Sequence, residues 1–112
     1  KLDSESIVYL LDQYAQEPMG GNTRLSNKTK SQLISSMIEF KNIFTILTYF
    51  IDTGNNDHDI PVGIMNCIKS FSTFYASQLI NIHDLYVADG YRNQGIAKMM
   101  FDKVQKIGED LN

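Results

Sequence analysis

Cysteine is almost missing from this chain. Cys67 stands alone, which excludes an internal disulfide and an all-cysteine metal knot. Histidine is nearly as scarce: His58 and His83, even with Cys67, are too few for a structural zinc site. Two prolines and seven glycines in 112 residues exclude collagen-like and low-complexity character. Arginine is represented only by Arg24 and Arg92, and the net charge is -3. No basic stripe for nucleic acid exists. Long hydrophobic runs are missing too. The longest, Ile43 to Ile51, is too short to span a bilayer and contains Thr45 and Thr48. No secretory signal pattern opens the chain. What remains is ordinary: 43% hydrophobic and 21% charged residues in 12.8 kDa. That composition predicts one soluble, cytoplasmic, folded domain with no membrane segment.

Ile7, Leu10, Leu11 and Tyr14 recur at helical spacing and predict a first helix, with Asp3 or Ser4 as its cap. Pro18 and Gly20-Gly21 end it. A second helix starts at a Ser26 cap and carries Leu33, Ile34, Met37 and Ile38 on one side, with Lys28 and Lys30 solvated on the other. Ile43 to Ile51 is rich in β-branched and aromatic residues and predicts a strand. Asp52 to Asp59, with His58, is a polar turn. Ile60 to Ile68 is a second, antiparallel strand, and Pro61 near its start costs little. Ser70 to Ser77 reads as a connection. Leu79 to Val87 is a third strand. Simple alternation puts Leu79, Asn81, His83, Leu85 and Val87 on one face and Ile80, Ile82, Asp84 and Tyr86 on the other. Ala88 to Gln94 is a turn. From Gly95 a third helix runs, with Ile96, Met100, Val104 and Ile107 as its apolar stripe, widened by Ala97 and Phe101. The order is α-α-β-β-β-α. The fold class is α+β, with a central, mostly antiparallel sheet flanked by helices.

The third strand, the turn and the helix start contain Arg92-Asn93-Gln94-Gly95-Ile96-Ala97. N–H groups at a helix N-terminus lack intrahelical partners and point outward together, and the helix dipole adds positive potential. Gly95 and Ala97 let a phosphate approach the backbone, and Arg92 can add charge. Two readings of these residues alone stand side by side. One is a phosphate loop. The other is a tight strand-to-helix turn whose small residues serve packing.

Leu85-Tyr86-Val87, then Arg92 to Ala97, then the apolar helix resemble the GNAT superfamily of acetyl-coenzyme A-dependent N-acetyltransferases, whose cofactor motif is [QR]-x-x-G-x-[GA]. Tyr14-Ala15, Pro18-Met19-Gly20-Gly21, Phe71-Ser72-Thr73-Phe74 and Asn81-Ile82-His83-Asp84-Leu85 are similar to a bacterial branch of it. The resemblance covers nearly the whole chain. It implies a GNAT-like fold and acetyl transfer from acetyl-coenzyme A to a primary amine, on a small molecule or a peptide. The Leu85 N–H would polarise the acetyl carbonyl. Val87 would pair its backbone with the pantetheine arm. N–H groups of Arg92, Asn93, Gln94, Gly95, Ile96 and Ala97 would hold the pyrophosphate. The resemblance also implies a single partial domain over residues 1–112, cut before the family's fifth strand and starting at Lys1 without an initiator methionine. Such a chain has an open sheet edge that admits a homodimer. The rivals are a fragment without turnover that binds coenzyme A or itself, and an enzyme whose loop takes another phosphate ligand.

His83 is the side chain whose chemistry suits proton uptake near neutral pH, and Asn81 on the same face would hold a water. The competing role is a histidine hydrogen-bonded for structure. Asp84 falls on the other face, where a structural role needs a partner; a bulge would reverse that parity, so Asp84 also stands as a catalytic candidate. Cys67 and the five methionines are assigned to packing. The turns Pro18 to Gly21 and Phe71 to Phe74 either border an acceptor pocket or are plain loops.

Overall fold

A computed structural model of the chain describes residues 2–51 and 59–111. The elements are α1 (Leu2–Ala15), a 3-10 turn (Pro18–Gly20), α2 (Asn27–Phe40), β1 (Ile43–Ile51), β2 (Asp59–Ser72), β3 (Ser77–Val87) and α3 (Ile96–Leu111). The expected order holds. The loop between β1 and β2, with His58, lies outside the described residues.

Three strands form one antiparallel sheet in the order β1-β2-β3. The second and third strands are longer than expected. Phe71 pairs with Gln78 and Ser72 with Ser77, so half of the expected connection belongs to the paired strands and only the tip turns. At that tip Phe74 and Tyr75 are almost fully exposed.

Each sheet face is covered separately. On one, Met65 and Cys67 of β2 meet Met100 and Val104 of α3, joined by Phe44, Ile46, Ile80, Leu85, Val87 and Ile96. On the other, Ile64 and Tyr86 meet Leu10 of α1, joined by Ile7, Leu11, Tyr14 and Leu47. Gly63 belongs where it is for want of room. A Cβ there would stand 3.1 Å from Met100 Cε and 3.2 Å from Ile96 Cγ2.

Several local expectations change. Asp3 and Ser4 lie inside α1 and do not cap it. Asp3 accepts instead from the Tyr49 hydroxyl at 2.6 Å. Ser26 does cap α2, accepting from the Thr29 N–H at 3.0 Å. Lys30 is not simply solvated: its Nζ lies 3.2 Å from Asp12 Oδ2. Ile38 is exposed, so the apolar side of α2 is narrower than its sequence suggests. Of the methionines, Met65 and Met100 are buried, but Met19 and Met99 face solvent.

Candidate active site

The segment after β3 builds the site. Gly90, Asn93 and Gly95 have positive φ values of 91°, 64° and 82°. These left-handed turns fold the chain back on itself and deliver it into α3. Gly95 is there for its backbone, since a Cβ on it would touch nothing within 4 Å. The first backbone bond into α3 runs from the Met99 N–H to the Gly95 carbonyl at 3.0 Å. Among the described residues, the N–H groups from Gly95 to Lys98 have no hydrogen-bond acceptor, while a hydrogen-bonded turn spans Arg92 and Asn93. They border an open cavity of about 350 Å³ lined by Val87, Tyr91, Arg92, Asn93, Gly95, Ile96, Ala97 and Lys98. Unpaired donors on alternating right- and left-handed backbone, at a helix start, form an anion-binding concavity. The donor set fits the pyrophosphate of a nucleotide cofactor.

The Arg92 side chain is engaged elsewhere. Its Nε donates to the Val87 carbonyl at 2.7 Å, and an Nη donates to Glu17 Oε2 at 2.7 Å. The guanidinium also lies 5.6 Å from the centre of the Tyr86 ring, within cation–π range. Glu17 beside it pushes the already high pKa of Arg92 higher.

Upstream of the loop, β3 contains a bulge that simple alternation missed. Asp84 pairs with Asn66, and Ile82 pairs with Cys67, so His83 is the extra residue. The consequence is a change of face. Ile80 and Ile82 lie on the α3 side with Cys67. After the bulge, Leu85 and Val87 lie on that side and Asp84 and Tyr86 on the other. The expected grouping of Leu79 and Asn81 with Leu85 and Val87 is therefore wrong. Asn81 pairs with Ile68, and its amide donates to Ser70 Oγ at 3.2 Å. His83 is exposed beside the bulge. Asp84 is not reversed onto the cofactor side. It ends a polar row across the sheet, in which Thr45 Oγ1 donates to Asn66 Oδ1 at 2.6 Å and Asn66 Nδ2 donates to Asp84 Oδ2 at 3.0 Å.

β3 is also the edge of the described sheet. The Ala88 N–H donates to the Val62 carbonyl at 2.8 Å. Backbone groups alternate along an antiparallel ladder, so Tyr86 bonds inward and Leu85 and Val87 turn their N–H and C=O groups outward. The Val87 carbonyl is then taken by Arg92, and its N–H stays open.

Cys67 is fully buried, and burial pushes its thiol pKa up, as a packing role requires. The hairpin tip with Phe74 lies at the far end of β3 from the loop, roughly 30 Å away at strand rise. Phe71 to Phe74 thus stands at the opposite end of β3 from the turn into α3. The partners Glu17 and Asn66 were not among the sequence candidates. Asn66 carries a signal, a lone amide within the apolar stretch Ile60 to Ile68. Glu17 carries none, because its partner is 75 residues away.

No described helix is long and apolar enough to cross a membrane. Comparison with known proteins gives the same picture of the fold. No curated protein matches the chain significantly. Among solved structures, a probable acetyltransferase superposes with TM-score 0.76 at 17% identity, covering 96% of this chain and 66% of that one. A GNAT family acetyltransferase from Staphylococcus aureus gives TM-score 0.75 at 12% identity, covering 100% and 75%. A ribosomal-protein-alanine N-acetyltransferase from Brucella melitensis gives 0.73 at 16% identity, covering 97% and 67%. This chain thus spans about two thirds of the length of the first of these. The model of the acetyltransferase (GNAT) family matches residues 10–112. With that match over most of its length and this fold, the chain belongs to the GNAT family of acetyltransferases.

Proposed function

We propose that this chain carries the cofactor-binding half of an N-acetyltransferase that moves an acetyl group from acetyl-coenzyme A to a primary amine. The observation that carries this reading is the run of unpaired N–H groups from Gly95 to Lys98 beside an open cavity at the start of α3. The family match supports an acyl-coenzyme A as the ligand of that loop.

Bound acetyl-coenzyme A supplies an activated acetyl thioester. The backbone of Asn93, Gln94, Gly95, Ile96 and Ala97 holds the pyrophosphate by N–H donation. Arg92 contributes its backbone to the turn, while its side chain fixes the turn to Val87 and Glu17. The outward Val87 N–H is the group left to pair with the pantetheine arm. The outward Leu85 N–H donates to the acetyl carbonyl oxygen, where negative charge grows during attack. His83, exposed at the bulge two residues before Leu85, accepts the proton of the amine, directly or through water. Asn81 lies on the opposite face of the sheet from Leu85 and has no part in this step. Asp84 keeps a structural role through Asn66.

Calorimetric titration of coenzyme A into the parent chain and into Gly95→Glu tests the assignment. The new carboxylate enters the open side of Gly95 and strains a residue at φ 82°. Binding by the parent and its loss in the variant are expected. Equal affinity for both proteins removes the phosphate-loop assignment.

A further inference from the structure

We propose that Glu17 and Arg92 form a latch through which the phosphate loop and the α1–α2 connection order one another. This rests on the reading of residues 93–98 as the cofactor's phosphate site. Arg92 belongs to the loop by sequence, yet its side chain points its hydrogen bonds at Val87 and Glu17. Glu17 is the pivot of the other segment. Its carbonyl accepts from the Gly20 N–H at 2.9 Å and the Asn22 N–H at 3.0 Å, which closes the 3-10 turn. Gly21, at φ 106°, then turns the chain toward α2. The same two segments also meet through rings: Arg92 lies over Tyr86, and Tyr86 lies 5.8 Å from Tyr14 near the end of α1. Residues of α1, its exit turn, β3 and the phosphate loop thus share one cluster, and the Glu17–Arg92 pair is its ionic member.

The pair is partly exposed, with side-chain exposures of 34% for Glu17 and 43% for Arg92. Such a pair adds little to global stability. Its effect lies in coupling two loops that stand 75 residues apart in sequence. A phosphate that fixes the loop fixes Arg92, which fixes Glu17 and the turn behind it. By linkage the reverse holds equally: a loosened turn weakens the phosphate site. Glu17 is in these terms a positioning residue, acting through Arg92.

A double-mutant cycle on the full chain tests the latch, with coenzyme A as the probe. Glu17→Gln, Arg92→Gln and the double variant are titrated, and amide exchange at Asn22 and Thr23 is followed with and without coenzyme A. Each single variant is expected to weaken binding roughly two- to fivefold, the range of a partly exposed ion pair. The double variant should bind no worse than the weaker single. Coenzyme A should slow exchange at Asn22 and Thr23 in the parent and in none of the variants. Tighter binding by Glu17→Gln overturns the proposal and makes Arg92 a phosphate ligand that Glu17 holds back. Losses that multiply in the double variant, or protection that survives Glu17→Gln, overturn it as well. If the parent does not bind coenzyme A, or Gly95→Glu leaves binding unchanged, the cofactor assignment fails and the latch with it. If Gly95→Glu abolishes binding and Glu17→Gln changes nothing, the latch alone fails.

Discussion

On the α3 side of the sheet, Met65, Cys67 and Met100 are shut off from water and pack against apolar neighbours. On the α1–α2 side, Leu10 and Ile64 are equally buried, but Asn66 and Asp12 are buried with them. That second side is also less filled. A cavity of about 560 Å³ opens between α1 and α2, and another of about 450 Å³ opens between them and β1. α2 has no buried residue at all. Dispersion and area burial hold α3. Hydrogen bonds and charge hold much of α1 and α2. Asp12 shows how: it accepts from the Leu25 N–H at 2.9 Å and pairs with Arg24 and Lys30. An apolar contact fixes an element by shape, whereas these polar ties depend on pH and on each partner's presence.

The bulge gives the largest test of that division, since it places His83 and Asp84 differently. With a full acetyl-transfer assay on a panel of primary amines, His83→Ala should lower kcat/KM about 10²–10⁴-fold. Asp84→Asn should keep most of the rate and lose stability. The opposite pattern in well-folded variants would move the proton acceptor to the α1–α2 face.

Packing comes next. Met100→Ala removes a side chain with 1% exposure from the α3 contact and should cost ~2–5 kcal/mol in urea unfolding. Met37→Ala, on the half-buried side of α2, should cost about 1 kcal/mol or less. Equal losses would mean that α2 is docked as firmly as α3.

Charge follows. Burial alone raises the pKa of Asp12, but the Leu25 N–H, Lys30 and Arg24 outweigh it and hold the pKa below the usual carboxylate value. A carboxylate depressed in the folded state stabilises fully above its unfolded pKa, near 3.9. That contribution fades as pH falls through the lower folded value. Asp12→Asn should cost about 1–3 kcal/mol at pH 7 and flatten the stability curve below about pH 4. Circular dichroism melts across acid pH would show it. A variant whose acid dependence matches the parent's would remove Asp12 from the account.

The smallest expected effect is at the α2 cap. Ser26→Ala loses the acceptor for the Thr29 N–H and should cost about 1 kcal/mol. Amide exchange should quicken first in α2, leaving α3 protected. Equal quickening in both helices would join the two sides into one cooperative unit.

Much of this molecule follows from the order of its residues. The spacing of Ile7, Leu10, Leu11 and Tyr14, and of Ile96, Met100 and Val104, places the helices, because helical period is local. β-branched runs place the strands, and Arg92 to Ala97 place the strand-to-helix turn, because a glycine with positive φ and free helix N–H groups are also local properties. Strand faces beyond the bulge could not be read the same way. Alternation holds only while each residue has one partner, and whether His83 is paired depends on Cys67 and Asn66 across the ladder. The role of the Arg92 side chain, the partner of Asp84 and the burial of Asp12 likewise depend on residues brought from 75, 18 and 13 positions away. Those contacts exist only once the chain has closed, so only the tertiary structure could decide them.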